Sequence, residues 1–286
     1  MEVTFVGMGF DATLMLPILE RNIPGRYLAV SSETIDLEDY QGDKICFRMH
    51  PSIEAAALRI LPKIKKRTKE AEIVFLLSEI TGKVKEDIVC NIAEGFADKI
   101  VVSVVWYSKR KHGQKGIINS IDRLGKHSSV VAIPQTDYGK LIELIGEYVE
   151  QILFMYQLPY VNAEKDTGKR ILSEGGLLHL MQEEIETEYL NLRAEGLPWS
   201  ISSITYNPNL DTGLEYGQSA LLHLTVSKGT DPAIIQYVSE YIYSHLGEDG
   251  ELNFSITVIA EPRDSVGIDL LVTDTVTVKE AESWSW

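Results

Sequence analysis

A chain of 286 residues can hold one large domain or two ordinary ones, and an apolar content of 44% places it among globular proteins. A formal net charge of −15 excludes nonspecific nucleic-acid binding and docking on an anionic membrane, since both depend on neutralising fixed negative charge. No apolar stretch approaches the ~20 residues of a membrane helix, so direct membrane insertion is excluded too. The two cysteines, Cys46 and Cys90, form neither a disulfide framework nor a metal-ligand spacing.

The first predicted element is a strand over Val3–Val6, where a signal peptide would place basic residues and then an apolar run; the expected location is the cytoplasm. A helix follows over Asp11–Arg21, then a strand over Arg26–Ser31 and a short one over Ile45–Arg48. Ser52 and Glu54 open an alanine-rich helix that Glu70 closes. Its basic run, Lys63-Ile64-Lys65-Lys66-Arg67-Thr68-Lys69, reads as a solvated helix end favoured by the dipole. The apolar run Ile73–Leu77 reads as a buried central strand, followed by a helix from Lys85 to Phe96. The strand Ile100–Trp106, a helix ending near Lys126, and the strand Val130–Ile133, stopped by Pro134, continue the rhythm. Strands apolar on both faces that alternate with helices predict a parallel sheet covered by helices, over residues 1–137.

Residues 138–158 predict a central helix whose apolar positions exceed a single stripe, hence a helix buried on several sides and ended by Pro159. Residues 159–278 change character. Leu177–Met181, Ser219–Val226, Leu252–Ala260 and Val266–Thr273 read as strands, Pro232–Leu246 as a helix, and Asn207–Gly217 and Gly247–Gly250 as turns. This is an α+β domain with a mixed sheet. The tail 279–286 is acidic and expected to be loose.

Three segments carry candidate chemistry. Gly7-Met8-Gly9-Phe10-Asp11-Ala12, between strand and helix, fits the G-x-G-x-x-A dinucleotide fingerprint, with Glu33 near the place of a ribose-binding acid. The same residues suit a tight ligand-free turn, and both readings stay open. The second segment, Ser78-Glu79-Ile80-Thr81-Gly82-Lys83-Val84-Lys85-Glu86-Asp87, stands at a strand end, where a phosphate would sit. A phosphate cradle needs glycines so that backbone N–H groups can close on the anion, yet this loop has a single glycine and three acidic side chains. The third segment, after the central helix, carries Asn162, Glu164 and Asp166, which would position a water or merely make a polar loop. The six histidines show no metal spacing, with His179 and His223 read as surface or packing residues, and no nucleophile elbow or Cys–His pair occurs.

Five stretches stand in a telling order: Ala71–Phe75, Gly116-Ile117 through Val131-Ala132-Ile133-Pro134-Gln135, Pro159-Tyr160-Val161-Asn162, Ser173-Glu174-Gly175-Gly176-Leu177, and the pair Ser255–Ala260 and Gly267–Thr273. Taken in that order, they resemble FtsZ, the prokaryotic tubulin homologue, over nearly the whole chain. The resemblance implies an N-terminal nucleotide-binding-type domain, a central helix and a C-terminal domain. It also implies GTP or GDP as cofactor, and partners that are further copies of the chain, or another FtsZ-like protein, stacked head to tail. Gly7, Gly9, Asp11, Ser31, Thr81, Gly82 and Gln135 then fall on nucleotide-contact positions, and Asn162, Glu164 and Asp166 on the loop that completes the GTPase site of a neighbour.

The departures are as informative. The family's glycine-rich signature loop is reduced to Thr81-Gly82, the first glycine loop carries Phe10 and Asp11, and the third is shortened to Met49-His50-Pro51-Ser52. The family's Asn after the Pro is Gln135, and Asp166 stands one position early. These changes predict weak or absent GTP binding and turnover. A nucleotide-independent scaffold that docks partners through its acidic surface or Trp284-Ser285-Trp286, an active FtsZ-like GTPase, and a dinucleotide-dependent oxidoreductase are the competing readings.

Overall fold

The computed structural model describes residues 1–48, 52–83, 87–96, 98–108, 114–161, 166–187 and 217–274. Met49-His50-Pro51, Asn162, Glu164, most of the predicted turn Asn207–Gly217 and the tail 279–286 lie outside the described residues. The chain forms two compact units. One comprises the described residues of Met1–Glu150 with Leu172–Leu177, the other those of Gln151–Ile171 and Leu178–Thr275.

In the first unit the chain runs β1 (Val3–Met8), α1 (Phe10–Asn22), β2 (Arg26–Ser31), β3 (Asp43–Cys46), α2 (Ile53–Arg67), β4 (Ile73–Ile80), α3 (Ile88–Ala93), β5 (Ile100–Tyr107), α4 (Gln114–Gly125) and β6 (Ser129–Pro134). A short 3₁₀ turn, Ile35–Leu37, follows β2. The strands are all parallel, in the order β3-β2-β1-β4-β5-β6. Gly176 and Leu177, opening β7 (Gly176–Glu186), pair with Ser129 and Val130 on the far edge.

Both faces are covered, which is why the strands read as unbroken apolar runs. On one face Val6, Leu28, Val30, Val74, Leu76, Val101 and Val105 pack with Ile60 and Ile64 of α2, Ile92 of α3 and Ile121 of α4. On the other, Phe5 stacks between Tyr27 and Phe75, at centroid distances of 4.7 and 5.1 Å. Each such buried side chain contributes about 1.5–3 kcal/mol from apolar area alone. At the start of α2, Ser52 accepts the Ala55 N–H through its hydroxyl oxygen, at 3.1 Å, as its place before the helix predicts.

Two boundaries differ from expectation in ways that bear on function. β4 does not stop at Leu77. Ser78, Glu79 and Ile80 continue it, opposite Val105, Trp106 and Tyr107 of β5. The first three of the ten residues of the predicted phosphate loop are therefore strand. In addition, α3 is short and starts at Ile88, after Asp87.

α5 (Tyr138–Gln157) is the predicted central helix. Its first half is less buried than expected, with a stripe of Leu141, Ile145 and Val149 facing inward, and its second half is enclosed at Gln151, Ile152, Leu153 and Met155. The second unit contains the first five residues of α6 (Thr167–Glu174), most of β7, β8 (Gly217–Ser227), α7 (Pro232–His245), β9 (Glu251–Ile259) and β10 (Ser265–Asp274). Its strands run β7-β10-β8-β9. β10 and β8 are antiparallel while β8 and β9 are parallel across the α7 crossover, a mixed sheet as expected. Alternation sorts its faces. Leu222, Leu224, Ile268 and Leu270 pack with Ile234, Val238 and Ile242 of α7, while His223 and Asp269 lie opposite each other on the other face. His179 and His223 are both buried, packing positions rather than surface ones. The sequence reading missed α6 altogether.

Candidate functional site

The strand order places β1 between β2, which follows it, and β4, which follows a return across the sheet. In an open parallel sheet, ligands bind outside the carboxyl ends of the strands at that reversal. A pocket of about 310 Å³ lies there, at the small end of ligand-pocket sizes. It is built from the β1–α1 turn (Met8 to Ala12), the end of β2 (Val30, Ser31, Ser32) with Asp36, and the end of β4 (Ser78, Glu79, Thr81). Asp87 and Trp106 complete it, with Phe47, Ile53 and Ile88 as apolar wall.

Gly9 makes the turn from β1 into α1. Its φ of +89° and ψ of −175° lie in a region open essentially to glycine alone. Its N–H donates to the Val30 carbonyl at 2.9 Å, tying the turn to β2. Gly7 is a strand residue outside the lining. A Cβ there would stand 3.1 Å from the Ala12 carbonyl oxygen and from Leu16, so its small size serves the packing of α1 on β1. Asp11 is in the lining, and its carbonyl accepts from the Tyr138 hydroxyl at 3.3 Å. Burial, and then the Asp11 charge, push the Tyr138 pKa up to about 12.

Ser31 also lines the pocket, but its hydroxyl donates to Asp36 Oδ2 at 2.5 Å and accepts from the Glu33 N–H at 3.1 Å. Asp36, not the exposed Glu33, is thus the acid that β2 brings to the pocket.

At the third strand end Asp87 is 3% exposed. Its Oδ1 accepts the Thr81 N–H at 2.9 Å and the Thr81 hydroxyl at 2.8 Å, and its Oδ2 accepts the Ser120 hydroxyl at 2.7 Å. Cys90, one helical turn on, is inert. Burial, and then the Asp87 charge, push its thiol up to about 12. Gly82, with φ of +72°, is pressed on α4, where a Cβ on Gly116 would stand 2.3 Å from the Gly82 carbonyl oxygen. Trp106 is wholly buried, and among the described residues its indole N–H has no hydrogen-bond partner.

Of the sequence-predicted contacts, Gly9, Asp11, Ser31 and Thr81 therefore converge on one pocket. Gly82 supports the loop from behind, and the exposed Gln135 lies outside the lining, its N–H donating to the Tyr107 carbonyl at 2.8 Å. Asn162 and Glu164 are outside the described residues. Asp166 is exposed in the second unit, its carbonyl accepting the Arg170 N–H at the start of α6. The residues missed from sequence are Asp36 and Trp106, whereas Asp87 was read only as one of the acidic side chains of the loop. The described lining carries four carboxylates, Asp11, Asp36, Glu79 and Asp87, and among those residues no Lys, Arg or His. No three His, Cys, Asp or Glu side chains among the described residues converge as a metal centre requires.

No protein-family model matches the chain, and neither does any curated relative. Solved structures do match along its whole length. It is similar to an empty FtsZ dimer from M. jannaschii at 18% identity, covering 100% of this chain and 93% of that one, with a TM-score of 0.67. A GTPγS-bound CetZ2 protofilament from Haloferax volcanii matches at 12% identity over 99% and 96% of the two chains, with a TM-score of 0.69. CetZ from Methanosaeta thermophila matches at 12% identity over 98% and 88%, with a TM-score of 0.64. The fold of this chain is FtsZ/tubulin-like.

Proposed function

We propose, from the FtsZ/tubulin-like fold and its acidic pocket, that this chain is a cytoskeletal or cell-division-type protein of the cytoplasm that assembles with further copies of itself or with another FtsZ-like protein, and that its GTP binding and hydrolysis are weakened or lost. The observation that carries the nucleotide part is the pocket's chemistry. Four acidic residues, Asp11, Asp36, Glu79 and Asp87, are part of the described lining of a space where a triphosphate would bring further negative charge. One like-charge contact at 4 Å costs about 4 kcal/mol at an effective dielectric constant of 20. Backbone groups of Ser78, Glu79 and Ile80 serve the sheet, and the donors of Thr81 are held by Asp87. The described lining residues do not fit a triphosphate. Support for assembly comes from the similar structures, an FtsZ dimer and a CetZ2 protofilament.

Sedimentation and electron microscopy with and without GTP, alongside phosphate release, test this reading. The expected outcome is assembly that does not depend on GTP, with little or no phosphate released. Tight GTP binding with brisk hydrolysis would instead mark an active GTPase, with Gly9 and Thr81 among its contacts and Glu164 or Asp166 placing the water. A dinucleotide reading keeps one observation in its favour, since Gly9 and the strand order suit a dinucleotide turn. NAD and NADP beside GTP and GDP in a thermal-shift screen decide between them, because a ligand at a hundredfold its Kd adds about 2.7 kcal/mol of stability.

A further inference from the structure

We infer that the Asp87 carboxylate occupies the anion position of the loop after β4 and is the residue that sets this site against phosphate. The inference rests on the reading of the pocket as a nucleotide-type site whose anion binding is reduced.

Three observations carry it. First, the carboxylate gathers donors from separate parts of the fold: the Thr81 N–H and hydroxyl on one oxygen and the Ser120 hydroxyl of α4 on the other. A backbone N–H at a strand end flanked by hydroxyls is the donor set that would receive a phosphate oxygen. Second, Asp87 immediately precedes α3, where an aspartate ordinarily caps the helix with its side chain, and here it makes no side-chain cap bond. Its charge is directed away from the helix and onto the loop. Third, both Thr81 and Asp87 line the pocket, so the self-made contact is formed where an incoming ligand would have to make its own. Gly82 and Gly116, backbone against backbone, hold the loop in that place. An anion bound at Thr81 must evict the carboxylate or sit beside a like charge; either way it loses affinity.

Asp87→Asn keeps shape and an acceptor while removing the charge, and Asp87→Ser removes the carboxylate while leaving a residue suited to the position before a helix. Inorganic pyrophosphate is the probe, read by calorimetry on the full chain and by the Thr81 amide resonance. In the wild-type protein the Thr81 amide is expected to stay unmoved as pyrophosphate is added. Each folded variant gains about tenfold or more in pyrophosphate affinity, the equivalent of one recovered donor or one removed repulsion. A wild-type Thr81 amide that titrates with pyrophosphate overturns the inference, as do folded variants that bind no more tightly than wild type. The two proposals fail separately. Tight wild-type GTP binding that rises further in Asp87→Asn sinks the reduced-nucleotide reading and keeps this one, whereas weak binding unchanged by the substitution does the reverse.

Discussion

At the scale of single residues, the site is defined by what glycine allows and what charge forbids. Gly9→Ala forces a Cβ into backbone angles that only glycine tolerates. The expected loss is about 1–3 kcal/mol of stability in a denaturant titration. In the second unit, His223 is 1% exposed, touches the Phe154 ring edge-on at a centroid distance of 5.1 Å and shares its Nε2 with the Thr225 hydroxyl at 3.3 Å. Burial lowers its pKa below the ordinary 6.5. The folded chain therefore keeps it neutral while the unfolded chain takes up a proton, and its stabilising share is complete above about pH 6.5 and lost as the pH falls. His223→Gln should flatten the decline in stability as the pH falls below about 6.5, read from unfolding midpoints. An equal slope in both proteins would assign the acid sensitivity elsewhere. Gly9 was legible because glycine between strand and helix is a local signal. Asp87 was legible only as an acid of the loop; its bonds were not, because nothing in its neighbours' identity points to Ser120.

Elements were legible where periodicity was strong. β2 was placed to the residue, and β5, β6, α5 and α7 to within a residue or two, because long apolar or amphipathic runs bury themselves in a single way. The misses have physical causes. Glu79 interrupts the apolar run of β4, yet pairing with β5 carries the strand on to Ile80. α6 is short and opens with Thr167-Gly168, a poor helix start; Gly168 is kept small because a Cβ there would stand 2.9 Å from the Tyr156 carbonyl oxygen. The same close approach of backbones joins the loop after β4 to α4. Gly116→Ala would set a methyl group 2.3 Å from a backbone oxygen that has no rotamer to escape by. The expected cost is about 1–3 kcal/mol, with faster hydrogen exchange at the Thr81 amide as the loop is pushed from α4. Unchanged exchange there would show that the loop is held by Asp87 alone.

For the molecule as a whole, a formal charge of −15 means that copies repel one another before any contact forms. If assembly follows the proposed reading, added salt should strengthen it by screening that repulsion, since the Debye length falls from about 10 Å at 0.1 M to about 3 Å at 1 M. Light scattering across that range checks it, and assembly that dissolves in salt would instead place opposite charges at the contact. The alternation of apolar strands and helices, the change of pattern after the central helix and the order of short motifs were enough to reach an FtsZ/tubulin-like fold. Burial periodicity and turn chemistry are encoded within a few residues of one another. The character of the site was decided only by folding. Asp87 meets Thr81 across six positions and Ser120 across thirty-three, and Asp11, Asp36 and Glu79 join it from three different strand ends. Electrostatics depends on distance in space, which the linear order of residues does not carry.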